Sequence, residues 1–324
     1  MGQPPQDHPQ ALPTSSALSN EEENMSTQRP FRFGLVAHQA HSADDWIAKA
    51  RRVEALGFST FLVVDTVGAT PAPMPALAVA SAATRTLRVG TLVLANDFRN
   101  PVLLARECAT LDLLSDGRFE LGLGAGRPTA EDDYRKLGIP LDSGGVRLER
   151  LAESLGILKT LLAGERVTAS GRRYAVAEAD VFPRPVQQPR PPILVAGAGR
   201  RLLALAAREA DIVAIAGRPD ESESVFSEKV DRVREAAGER FDRLELSVQL
   251  MAVGREMHPE MLARFGLDPA RLAQSTSPFF LPGTPDQMCE RLLARRGRLG
   301  ISYVTAPEVF MEALAPVVER LAGR

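Results

Sequence analysis

The sequence predicts an α/β fold, a (β/α)8 TIM barrel with insertions at its C-terminal face. Three observations predict it. Short β-rich runs alternate with helical patterns eight times in order. Parallel neighbouring strands need crossover helices, so this alternation argues for a parallel sheet. Eight units fit a closed barrel better than the open, doubly wound sheet that is the alternative. The chain has 324 residues, 44% of them apolar, enough for one large core.

Residues 1–29 stand apart as a leader. Met1–Gln28 is rich in Pro, Gln, Ser and Thr and carries the acidic run Glu21–Glu23. It buries too little apolar surface to offset its ordering entropy, so disorder is expected, with Met25 as an alternative start. The barrel domain is expected over residues 30–324. Phe33–Ala37 reads as the first strand. A helix from Asp45 to Leu56 follows, with Trp46, Ala50, Val53 and Leu56 on one face and Gly57 as its stop. Phe61–Val64 is the second strand, Pro75–Ala83 a helix and Arg88–Leu94 the third strand. Asn100-Pro101 supplies an N-cap and an N1 proline for a helix to Ser115. Phe119–Leu123 is the fourth strand. Leu148, Leu151, Leu155, Leu158 and Leu162 form a stripe on a helix over Arg147–Leu162. Val167–Val181 reads as a hairpin turning near Ser170-Gly171.

Ile193–Ala196 is the fifth strand, Leu202–Glu209 a helix and Ile212–Ile215 the sixth strand. The helix Glu221–Ala237 precedes a seventh strand over Leu244–Val253. Thr284 and Pro285 cap a helix over Asp286–Arg296, Ser302–Thr305 is the eighth strand, and Glu308–Leu321 closes the chain. The segment Met257–Pro282, with Phe265, Phe279 and Phe280, is long for a plain connection and either caps a pocket or packs as extra helices.

Composition narrows the function. The formal net charge of -2, with basic residues spread along the chain, argues against a nucleic-acid partner. No apolar run reaches the ~18 residues of a membrane helix, and the N-terminus lacks the apolar core of a signal peptide. Cys108 and Cys289 are far apart with no CxxC, as expected of half-buried reduced thiols in a cytoplasmic protein. No metal site is expected: His38 and His41 share a loop whose only acids are Asp44 and Asp45, and His8 and His258 are remote. There is no GxSxG elbow and no P-loop.

In such a barrel, chemistry collects just past the strand ends. His38 follows the first strand and either binds substrate or moves a proton, or is a loop histidine of no special role. Asp65 ends the second, a carboxylate that needs a partner or a task. Asn96 and Asp97 follow the third. Gly124-Ala125-Gly126-Arg127 follows the fourth, where small residues either keep a wall low for a flat ring or serve close packing. Gly197-Ala198-Gly199-Arg200-Arg201 follows the fifth. Its glycines leave amides free and a helix N-terminus comes next, which makes a phosphate cradle. A tight turn with solvent-facing arginines is the plain alternative. As a dinucleotide fingerprint it is weak, because Leu202 stands where a third glycine belongs.

These segments resemble one known family. Val89–Asp97 with Arg99-Asn100-Pro101, then Ala109–Gly126, Arg147–Leu161, Pro183–Gln187 and Pro191–Gly199, are similar in order to the luciferase-like oxidoreductases. The branch that uses the deazaflavin coenzyme F420 is the nearest in look. The resemblance covers Phe31 to Gly217 and more loosely the rest. It implies a bulge at Thr91-Leu92-Val93, often with a non-prolyl cis peptide, behind the cofactor ring. It implies that Gly124, Ala125 and Gly126 flank the ring, with Asp65 and Asn96 nearby. It implies that Gly197, Ala198, Gly199 and Arg200 hold the cofactor phosphate. In the sugar-phosphate dehydrogenase branch, a histidine follows the second-strand aspartate and a glutamate follows the fourth-strand glycines. Thr66 and Arg127 stand there instead, so that acid–base pair is missing.

The expected function is therefore F420-dependent hydride transfer with an organic small-molecule or peptide substrate, most naturally a reduction. His38 and then Tyr134 are the candidate proton donors, and Arg99 and Arg127 would orient an anionic substrate or the cofactor tail. An FMN-dependent monooxygenase using O2 and a non-catalytic ligand-binding barrel are the alternatives. A homodimer is implied by the resemblance.

Overall fold

The fold is described from a computed structural model, which covers residues 29–127, 129–254 and 275–324. The apolar runs form strands β1 (Arg32–Ala37), β2 (Thr60–Val63), β3 (Arg88–Thr91), β4 (Leu94–Ala95), β5 (Phe119–Gly124), β8 (Ile193–Gly197), β9 (Ile212–Ile215), β10 (Glu245–Gln249) and β13 (Ile301–Pro307). They pair in the order β3-β2-β1-β13-β10-β9-β8-β5-β4, and β3 also pairs with β5, so the sheet closes on itself. Every barrel pairing is parallel. β3 and β4 are two halves of one strand, so the barrel has the eight staves the alternation implies.

Helices α1 (Ala43–Ala55), α2 (Pro73–Ala83), α3 (Pro101–Leu114), α4 (Glu131–Leu137), α5 (Gly144–Leu162), α6 (Arg200–Glu209), α7 (Glu223–Ala237), α8 (Pro285–Leu299) and α9 (Met311–Leu321) surround it. Their starts follow local chemistry. Asn100 Oδ1 accepts from the Val102 amide ahead of Pro101, and Thr284 and Gln287 form a capping box around Pro285. The leucine stripe of α5 is buried at Leu151, Leu155, Leu158 and Leu162. Trp46, Ala50 and Val53 bury the inner face of α1. Both cysteines are free and more deeply buried than the expected half. No described helix is long and apolar enough to cross a membrane.

The third and seventh strands depart from the continuous runs expected. β3 breaks at Leu92-Val93, a non-prolyl cis peptide. Val89 and Gly90 pair with Phe119 and Glu120, but Leu94 and Ala95 pair with Leu123 and Gly124, so the broken strand holds one extra residue. Beyond Gln249 the seventh strand leaves the barrel. Its continuation β11 (Ala252–Val253) pairs with β12 (Phe280–Leu281), because the Met251 amide bonds to the Phe279 carbonyl rather than to a barrel neighbour. Phe279 and Phe280 are thereby buried, while Phe265 and most of the long segment, like residues 1–28, lie outside the described residues. The hairpin β6 (Val167–Ser170) and β7 (Ala175–Ala179) lies outside the barrel, and its turn is tied to α5 by Glu153, which accepts the amides of Arg172, Arg173 and Tyr174.

The two ends of the barrel differ in kind. At the strand starts, Glu120 is buried and accepts from Arg32 at 2.8 and 3.0 Å and from Arg88 at 2.5 Å. Arg32 also lies over the Tyr303 ring and faces Glu245 at 3.3 Å. Burial pushes the Glu120 carboxyl up, but Arg32 and Arg88 overcome this and hold it below the ordinary range. Glu245, with a weaker share of Arg32, is pushed up by burial. Above this charged floor sits an apolar layer of Val36, Leu62, Leu92, Leu194, Ile212 and Ala214. The carboxyl ends of the strands open above it.

Candidate active site at the strand carboxyl ends

The break in the third strand builds the middle of the mouth. Thr91 bridges the gap: its hydroxyl donates to the Gly122 carbonyl at 2.8 Å and accepts from the Gly122 amide at 2.9 Å. Leu92 and Val93 then project with Val64 and Ala196 at the top of the apolar layer. The glycines of β5 make room for this. A β-carbon on Gly122 would lie 1.8 Å from the Thr91 carbonyl oxygen, and one on Gly124 would lie 2.9 Å from Val93 Cγ2. Close packing, of Gly122 on the Thr91 backbone and of Gly124 on the Val93 side chain, is thus their immediate role.

Asp65 and Arg99, expected separately at the site, meet each other. Arg99 donates to both Asp65 carboxylate oxygens, at 2.5 and 3.2 Å, and the Ala95 amide donates to Oδ2 at 3.1 Å. The pair braces the loop that follows the break, so Arg99 is committed to Asp65 rather than open to a cofactor tail. Asn96 is buried; its amide donates to the Tyr174 hydroxyl at 3.3 Å, and its Oδ1 has no hydrogen-bond partner among the described residues.

Tyr134 is buried behind the β5 loop. Its hydroxyl donates to Asp97 at 3.1 Å, and Arg150 donates to the same carboxylate at 2.6 Å. Burial, then Asp97, pushes the phenol up to about 12. A proton held that firmly braces the loop better than it serves a reaction. Arg147 adds a bond to the Gly126 carbonyl at 3.1 Å. Arg127 is half exposed and reaches Thr66 Oγ1 and Asp133 Oδ2, both at 3.3 Å. The two positions that depart from the dehydrogenase pattern therefore face each other, with a guanidinium and a hydroxyl where a base and an acid would stand.

His38 lies at the end of β1. Its amide and that of Gln39 donate to Glu308 Oε1 at 3.0 and 3.2 Å, and Lys49 forms an ion pair with Glu308 Oε2 at 2.5 Å. Burial lowers the imidazole pKa from its ordinary value, against the pull of Glu308. Glu308 and Lys49 were not foreseen. Glu308 stands just past the last strand, so the rule that located the other residues would have found it too.

At the end of β8, Gly199 is the N-cap of α6 with φ -74° and ψ 142°, and no side chain caps the helix. A β-carbon there would meet nothing within 4 Å, and Ala198, Gly199 and Arg200 are exposed. A β-carbon at Gly197 would instead collide with Leu202, 2.2 Å away. The first amides of α6 thus face open space at the rim, next to the apolar platform of Leu92, Val93 and Ala196. Among the described residues no cluster of His, Cys, Asp and Glu could hold a metal ion.

A family model described as luciferase-like monooxygenase matches residues 25–303. The chain belongs to the luciferase-like monooxygenase family. It is 31% identical over 255 residues to the F420-dependent glucose-6-phosphate dehydrogenase of Beutenbergia cavernae, covering 76% of this chain and 71% of the relative. The dehydrogenase of the same name from Microbacterium testaceum is 28% identical over 90% of this chain and 89% of its own length. Among solved structures, the coenzyme F420 dependent tetrahydromethanopterin reductase of Methanopyrus kandleri superposes with a TM-score of 0.72 at 19% identity, covering 90% of this chain and 99% of that one. Within the luciferase-like family, then, this chain combines the broken third strand with an open glycine rim on the fifth barrel strand.

Proposed function

We propose that this chain is an oxidoreductase that binds coenzyme F420 across the barrel mouth and passes a hydride between it and a small organic substrate, in the reducing direction. The observation that carries the reading is the pairing of an apolar platform at Leu92-Val93 with an open, uncapped helix N-terminus at Gly199. A flat ring with a phosphate arm matches that pair: the platform excludes water from the ring face, and the α6 amides meet the phosphate. The curated relatives named for F420 support this choice of cofactor.

Bound F420 supplies a hydride equivalent at a ring carbon. The protein's share is positioning and proton handling. Leu92 and Val93, with the loop that the Asp65–Arg99 pair braces, would hold the ring. Arg127, with Thr66 beside it, presents a cation to a substrate oxygen or anionic group. His38 moves the proton, held in place by the Glu308 bonds to the backbone of its loop. With Thr66 and Arg127 at the acid–base positions, oxidation of a sugar alcohol by that pair is not part of the reading.

The test is titration of the purified protein with F420 and with FMN, followed by turnover under air. Binding of F420 with no oxygen uptake is the expected result. Tight FMN binding with oxygen consumption would convert the assignment to a monooxygenase, and binding of neither would leave a non-catalytic barrel. Two further points belong to the same reading. The buried free thiols Cys108 and Cys289 fit a reducing cytoplasm. A homodimer would cover the exposed Leu103 and Leu114 of α3 and Val79 of α2, and Leu103→Glu with Leu114→Glu would leave a monomer in sedimentation.

A further inference from the structure

A compact charged cluster lies at the edge of the mouth, where the last strand meets the first. Glu308 follows β13 and reaches the loop that leads from β1 into α1. Its Oε1 accepts the amides of His38 and Gln39 at 3.0 and 3.2 Å, which fixes that loop. Its Oε2 is buried and makes no directed hydrogen bond among the described residues. The Lys49 ammonium stands 2.5 Å from it as an ion pair and donates its own bond to the Gln39 carbonyl, also at 2.5 Å. Lys49 comes from α1, and its place is prepared. Its nitrogen lies 5.6 Å from the centre of the Trp46 ring, one helical turn back, and Trp46 Nε1 is held by the Ala76 carbonyl at 2.8 Å. The Lys49 and Glu308 side chains are only 16% and 21% exposed, so water and salt screen the pair weakly. Burial lowers the His38 pKa; Glu308 and the Val36 carbonyl pull it up, and Lys49 pulls it down. Glu308 and Lys49 are thus the charged groups that bear on the imidazole among the described residues, since Asp65, at the end of neighbouring β2, is committed to Arg99.

An anchor for the loop needs no lysine. A carboxylate that accepts two amides is already well placed, and packing a long ammonium beside it costs rotamer freedom and hydration. The cation meets a different requirement. An uncompensated carboxylate beside an imidazole favours the protonated ring and would tie its proton down. A group that gives a proton to substrate must hold it loosely near the working pH. We propose that Lys49 is a positioning residue for the proton step: it neutralises Glu308, so that this carboxylate holds the His38 loop without holding the His38 proton. The proposal rests on the reading of His38 as proton donor and deepens it. In that step the imidazolium gives a ring proton to the anion that hydride addition from F420 leaves on the substrate. The ring is left neutral and takes its next proton from solvent.

The experiment follows the His38 ring protons by NMR through a pH titration of the full chain, the His38 signal being the one lost in His38→Gln. Lys49→Met should raise the His38 midpoint by about 0.5–1 pH unit. Glu308→Gln, which keeps an acceptor for the two amides, should lower it by about as much. The double variant should fall between the two single ones, and Lys49→Arg, which restores the charge, should stay within about 0.2 unit of the wild type. An unchanged midpoint in folded Lys49→Met, or shifts of one sign in both single variants, would overturn the proposal. If Glu308→Gln does not fold, the contrast at position 49 decides: a higher midpoint with methionine than with arginine upholds the proposal, and equal midpoints overturn it. Failure of the donor reading looks different. There the midpoints move as expected, but His38→Gln leaves the pH dependence of the reductive rate in place, which overturns the reading of His38 and the part of Lys49 in the reaction with it.

Discussion

Replacing Gly199 with aspartate tests the anion rim without disturbing the fold. The backbone at φ -74° and ψ 142° suits any residue, and a β-carbon would meet nothing within 4 Å. At the N-cap of α6 the new carboxylate would accept from the second or third helix amide, the donors a cofactor phosphate would use. The substitution thus supplies an internal competitor and a like charge at one stroke. Losing one to two charge-assisted amide bonds and adding repulsion corresponds to about 2 kcal/mol, or roughly a 30-fold rise in Kd. Because glycine is itself a fair N-cap, stability should change by less than about 0.5 kcal/mol. Fluorescence titration at fixed ionic strength, paired with a thermal melt, reads both quantities. Gly199→Asn separates the causes: it caps equally well without charge, so its loss should be smaller than that of the aspartate. An aspartate variant that melts like the wild type and binds F420 within twofold of it would refute the phosphate placement.

Three further outcomes follow from the same geometry. Glu120→Gln should cost about 2–4 kcal/mol, because two half-buried arginines lose their buried counter-charge, whereas Glu245→Gln should cost less than about 1 kcal/mol; urea melts of the two variants would contradict this if they fell together. Since the folded-state pKa of Glu120 is lowered, its stabilisation is present above the ordinary carboxylate range and lost as pH falls below it, so acid melts of the wild type should steepen there and those of Glu120→Gln should not. If His38 delivers the proton in its charged form, its lowered pKa puts the fall of the reductive rate with rising pH below the ordinary histidine range, and His38→Gln should erase that descending limb in a pH–rate profile. Gly122→Ala should prevent stable folding because its β-carbon would overlap the Thr91 carbonyl, while Gly156→Ala, exposed on α5 with nothing within 4 Å, should stabilise by about 0.5–1 kcal/mol in a thermal melt.

The staves of the barrel were legible because each is a short apolar run bounded by a helix signal with a nameable chemistry, such as Asn100-Pro101 or Thr284-Pro285. The short helix Glu131–Leu137 was not, since seven residues carry too little periodicity to read. The seventh strand was overextended because Leu250–Val253 is as apolar as a stave, and only tertiary pairing sends it toward Phe280. At the site, the kinds of residue and their places past the strand ends could be read, but their partners could not. Asp65 and Arg99 looked like two separate tools and form one brace. Arg32, Arg88 and Glu120 lie near the edges of their apolar runs, with nothing in the sequence to mark them as one cluster. They close the barrel floor because a closed sheet turns those edges inward.

The Thr91 hydroxyl has one more implication. It stands in for a missing main-chain rung, giving a proton to one group of Gly122 and taking one from another. The circumference of the cylinder is therefore completed by a side chain. Valine matches threonine in shape but can neither give nor take, so it would strand an amide and a carbonyl at the seam. Serine could do both yet would leave a methyl-sized void. Position 91 is in this sense a coupling pin, and the choice of residue there is almost as restricted as that of the glycine it holds.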